Sequence, residues 1–72
     1  MKQHYSIKAL DTAGGFPVSV SVHCTQYQAR RIYTALSYAC ASDGGFVALT
    51  LALETQHSGS VPVERCRFGG VA

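Results

Sequence analysis

A chain of 72 residues, 47% hydrophobic and 14% charged, has room for one small domain and too many apolar positions to stay disordered. Six Lys and Arg against four Asp and Glu leave a net charge of +2, and the basic residues form no run of five or more, so any basic surface has to be assembled by the fold. No stretch approaches the ~18 apolar residues of a membrane-spanning helix, and no charged start leads into an apolar run of signal-peptide length.

Residues 4–10 alternate. Tyr5, Ile7 and Ala9 share one face while His4, Ser6 and Lys8 take the other, which predicts a half-buried strand. Asp11 to Gly15 reads as a hairpin loop, because glycine accepts backbone angles that other residues avoid. Residues 16–24 alternate again. Phe16, Val18, Val20, Val22 and Cys24 point one way, and Ser19, Ser21 and His23 the other. Pro17 has no amide donor and suits only a position outside the ladder.

Thr25 opens a helix. Gln28 stands three residues on and completes a capping-box pattern. Ala29, Ile32, Tyr33, Leu36, Ala39 and Cys40 fall on one stripe at about 100° per residue. Ala29 and Ala39 are small enough to let the helix approach a sheet closely. The segment from Ser42 to Gly45 ends the helix, with Gly44 or Gly45 in the left-handed position.

Residues 46–55 form the most apolar predicted strand. Val47, Leu49, Leu51 and Leu53 make one face, and Phe46, Ala48, Thr50 and Ala52 make the other, which is also dry. Ala and Leu favour helices too, but the flanking glycine turns and the leucine spacing favour a strand. Residues 56–60 read as a turn and 61–68 as a last strand, which Pro62 places at an edge or gives an irregular start. Val61 and Val63 share a parity that Cys66 and Phe68 reverse, so a bulge near Glu64 is needed. The segment from Gly69 to Ala72 reads as a tail. Gly-Gly-Phe precedes a strand twice, at 14–16 and 44–46, a hint of two similar halves. The order predicts a single α+β domain over residues 1–72: a four-stranded antiparallel sheet with one helix packed on one face, β-β-α-β-β.

Three cysteines, Cys24, Cys40 and Cys66, leave at least one unpaired within a monomer. Free thiols suit a reducing compartment, so the expectation is cytoplasmic. Cys24 and Cys40 fall on inward positions and are expected to behave as small buried hydrophobes. Low charge and the dry second face of residues 46–52 lead to the expectation of a homodimer, through that face or an edge strand.

The residues of common catalytic and metal sites do not assemble. His23 and Cys24 are neighbours on a strand and face opposite ways. A zinc site would need Cys40 and Cys66 to converge with further ligands. Cys40 and His57 would have to meet within ~3 Å to act as nucleophile and base. Asp11, Asp43, Glu54 and Glu64 read as loop and edge charges. The glycine pairs lack the strand, Gly-x-Gly-x-x-Gly and helix setting of a dinucleotide cradle. The expectation is a non-enzyme without cofactor or metal.

Two surfaces remain as binding candidates. With Ile32 at zero, Tyr27 falls near about −140°, Tyr38 near about −120° and Arg31 near about −100° round the helix, with Arg30 and Thr34 further on. Tyrosine and arginine pair broad apolar area with a polar end, which interfaces favour. Tyr27, Arg30, Arg31, Thr34 and Tyr38 are therefore the candidate protein-binding residues. The alternative surface is the sheet face away from the helix, with Lys8, His23, Phe46, Arg65 and Arg67 as candidate nucleic-acid-binding residues, an aromatic to stack a base and arginines beside it. The first reading makes the chain a protein-binding module, an inhibitor or adaptor of a larger assembly. The second makes it a small nucleic-acid-binding regulator.

Overall fold

Alternation along two strands sets the architecture. The computed structural model describes residues 1–69. It contains β1 (Gln3–Asp11), β2 (Val18–Cys24), α1 (Gln26–Asp43), β3 (Phe46–Thr55) and β4 (Gly59–Arg67). The four strands form one antiparallel sheet in the order β2-β1-β3-β4, with α1 across one face. The α+β arrangement read from the sequence is the fold. The tail assigned to residues 69–72 lies outside the described residues from position 70 on.

β1 and β3 are central and pair Tyr5 with Leu53, Ile7 with Leu51 and Ala9 with Leu49. All six side chains fall on the helix side. Tyr5, Ile7, Leu49 and Leu51 are fully buried there. Both β2 and β3 run antiparallel to β1, so they run parallel to each other and need the long crossover that α1 supplies. Thr25 and Gln28 close the capping box at the start of α1. Gly44 ends the helix at φ 80°, and its amide donates to the Cys40 carbonyl. The Tyr33 hydroxyl donates to the Leu49 carbonyl at 3.3 Å and ties the helix to β3.

Asp11 organises the first hairpin, its carboxylate accepting from the Ala13 and Gly15 amides. The Thr12 amide donates to the Gly45 carbonyl, which ties the first hairpin to the residue before β3. β4 is an edge strand, as Pro62 requires. Its register shifts so that Pro62 opposes Ala52 and Glu64 opposes Leu51, which leaves Val63 as the extra residue of a bulge.

The structure departs from the sequence reading at several positions. β2 begins at Val18, so Phe16 leaves the inward row and stands 58% exposed. A second register shift separates Leu10 from Asp11, opposite Ala48 and Phe46, and leaves Val47 partly exposed. Ala39 is exposed, while Ala29, Tyr33 and Cys40 are buried and Leu36 half-buried. The buried arc of α1 is thus centred about 70° beyond Ile32. Ala48 and Ala52, placed on an exposed dry patch by the sequence, are buried by their neighbours on the open face.

Leu51→Ala is expected to cost ~2–5 kcal/mol in urea unfolding, whereas Ala39→Ser changes stability by less than ~0.5 kcal/mol. All three cysteines are free, with Cys24 and Cys40 buried and Cys66 half-buried. Thiol labelling of the native protein is expected to modify Cys66 first, with Cys24 and Cys40 reacting at comparable rates only in denaturant.

Candidate functional site

The capping box fixes where α1 begins, and therefore which of its residues face away from the sheet. The buried arc is centred about 70° beyond Ile32, so the opposite crest lies near about −110°. Tyr27, Arg31 and Tyr38 sit on that crest. The structure gathers the five residues named from the sequence around one shallow groove of about 460 Å³, lined by Tyr27, Arg30, Arg31, Thr34, Ala35 and Tyr38.

These residues are not equivalent. Tyr27 is 70% exposed and Tyr38 72% exposed, high values for side chains of that size. The Arg31 guanidinium lies 5.9 Å from the centre of the Tyr27 ring, within cation–π range. Arg30 instead reaches across to β4, where Nη1 pairs with Glu64 Oε1 at 3.0 Å. Both partners are about half exposed, so this pair is worth at most ~1 kcal/mol. The Thr34 hydroxyl donates back to the Arg30 carbonyl at 2.9 Å and is used within the helix. Tyr27, Arg31 and Tyr38 form the outward-reaching set. Ala35 was missed by sequence reasoning. It stands four residues after Arg31 and three before Tyr38, and its small side chain forms the floor between them.

The residues proposed for the open sheet face separate. Lys8, Thr50 and Arg65 are paired across β1, β3 and β4 in one row, with Leu10, Ala48 and Arg67 in the next. Lys8, Arg65 and Arg67 therefore share a face. His23 joins them at a corner, its ring stacked on His4 with centroids 4.4 Å apart. Phe46 does not join them. It packs against the helix-side core and borders the same cleft as Cys40 and Gly44, because the register shift at Val47 turns the start of β3 toward the helix end. Phe16 takes the place expected of Phe46. It borders a trough with Lys8, Thr50, Ala52 and Pro62 on the open face. The signal was available in Pro17, which cannot donate to a ladder and so starts the strand after itself.

Titration follows position. Burial, chiefly, pushes the Tyr33 phenol up, and the neighbouring Cys66 and Glu64 add to it. Burial also raises the Cys40 thiol, helped by Asp43 and Cys66, which disfavours the reactive thiolate. The Glu54 carboxyl lies below its ordinary 4.5, first because Ser6 donates to it, then because Ser60 does, with Lys8 adding a smaller pull.

Neither a family model nor a curated protein nor a solved structure matches this chain. Among the described residues, no helix is long and apolar enough to cross a membrane.

A carboxyl depressed by folding adds stability above its unfolded value, and that contribution fades as pH falls through the folded value. Ser6→Ala combined with Ser60→Ala is expected to move the Glu54 titration, followed by NMR, upward toward 4.5. The stability gap between wild type and this variant should be present at neutral pH and close in acid below the ordinary carboxylate range.

Proposed function

We propose that this chain is a non-enzymatic protein-binding module whose docking surface is the crest of α1, and that it acts as an inhibitor or adaptor of a larger assembly. The observation that carries this reading is the exposure of Tyr27 and Tyr38, 70% and 72%, on either side of Ala35 with Arg31 over the Tyr27 ring. Large amphipathic side chains held on a rigid helix lose little conformational freedom on docking, which makes them effective anchors. Arg31, desolvated by a partner and backed by an aromatic ring, gains more from a carboxylate than it would in water. The partner surface that fits is an apolar groove with an acidic rim.

Three free thiols favour a reducing compartment, in keeping with a cytoplasmic setting. Self-association remains part of the proposal. With Ala48 and Ala52 already covered, the route is the exposed edge of β2 or β4. Sedimentation at micromolar concentration is expected to show a dimer, and a clean 7.7 kDa monomer would remove it.

The main test uses immobilised wild-type chain and three variants, with nuclease-treated native lysate. Tyr38→Ala and Arg31→Ala are expected to lose a protein that wild type and Ser21→Ala retain. Calorimetric titration with that protein should show each loss exceeding ~1 kcal/mol, with thermal stability little changed. Retention by all variants would remove the crest from the proposal.

A further inference from the structure

Folding sorts the charges of this chain by face. Of the four carboxylates, Asp11 is spent on its hairpin turn and Asp43 accepts from the Gly45 amide at the end of α1. Glu64 opposes Leu51 on the helix-side row and pairs with Arg30. Only Glu54, among the described residues, is on the open face, and its oxygens are held by Ser6 and Ser60. Lys8, Arg65 and Arg67 share that face, and none of them makes an ion pair among the described residues. The open face is therefore cationic, while Arg30 and Glu64 neutralise each other on the helix side.

The geometry points to the open sheet face as a binding surface for single-stranded nucleic acid, separate from the crest of α1. Arg65 and Arg67 alternate along β4, about 6.8 Å apart, close to the interval between successive phosphates of an extended strand. Lys8 lies two strands away in the Arg65 row, about 9.6 Å across the sheet. Beside Lys8 lies a trough of about 240 Å³ whose floor is Thr50 and Ala52, with Arg65 opposite Thr50 at its end and Arg67 one row farther along β4. The Phe16 ring and the Pro62 side chain border it, and the Ser6 and Ser60 hydroxyls at its side donate to Glu54. Phe16 is 58% exposed, more than half its surface free to receive a stacked base.

An exposed aromatic ring with cations beside it suits an unpaired nucleotide, whose base stacks while its phosphates meet the cations. An acidic peptide would use the cations but leave the Phe16 ring without a partner. A duplex would hold its bases away from the trough. Small floor residues allow the close approach: larger side chains at Ala48, Thr50 and Ala52 would fill the space that a base needs.

Fluorescence anisotropy with a labelled thymidine oligonucleotide of roughly ten nucleotides tests this. Wild type is expected to bind in the micromolar range at low salt. The slope of log affinity against log salt should be about −2, from three cations at about −0.7 each on a single strand. Arg65→Ala with Arg67→Ala should weaken binding at least ~10-fold and flatten the slope to about −0.7. Phe16→Ala should weaken it roughly 5-fold or more, and Phe16→Trp should restore it. Tyr38→Ala should bind as wild type does, which separates this surface from the crest. Circular dichroism is expected to be unchanged, because Phe16, Arg65 and Arg67 are all exposed. Absence of binding at low salt would overturn the assignment. So would wild-type affinity in Phe16→Ala, or equal competition by duplex DNA or polyglutamate, the latter assigning the face to acidic protein.

Discussion

A single helix covers one face of a four-stranded sheet, and the rest of the molecule follows from that limit. The apolar parity of the central strands, Tyr5, Ile7 and Ala9 against Leu53, Leu51 and Leu49, creates a strip that only α1 can bury. Ala29 lets the helix approach, and Tyr33 bolts it to the Leu49 carbonyl. A chain of this size has little further apolar area to spend on its stability. The second face of the sheet must therefore remain wet, yet avoid presenting an apolar plate. It does so with small residues and hydroxyls, Ser6, Ala48, Thr50 and Ala52, overhung by longer side chains.

That division produces two outer surfaces of different chemistry. The crest of α1 carries two tyrosine rings and an arginine, and the nearby Arg30 is neutralised by Glu64. Broad aromatic area with one available cation suits a packed protein contact, where affinity comes from a few anchors and depends weakly on salt. The open face carries three cations over a floor of small side chains, where attraction is longer-ranged and screened by salt. The two surfaces lie on opposite sides of a layer one helix and one sheet thick. Occupation of one surface would not obstruct the other.

The fold was legible because its signals are local and agree with one another. Alternation marked β1, β2 and β3, Thr25 with Gln28 marked the helix start, and the broken parity around Glu64 marked the bulge. The crest residues were legible because helical geometry is regular once its first turn is known. What escaped lies where regularity breaks. Phe46 and Val47 were misplaced because a register shift at Leu10 and Asp11 is set by pairing with a distant strand. Phe16 was drawn into β2 by parity, although Pro17 ends the ladder before it. Ala39 sat at the margin of a stripe whose true centre depends on how Tyr33 and Cys40 seat on the sheet.

The crest of α1 is proposed as a protein-docking surface in its own right. Amide chemical-shift mapping of the isotope-labelled chain, titrated with the protein it captures, addresses this most directly. Perturbations are expected to be contiguous over residues 27–38 on the outward side of the helix, strongest near Tyr27, Arg31 and Tyr38, with Lys8, Arg65 and Arg67 silent. Perturbations confined to β4 and the open face, with the helix unmoved, would contradict it.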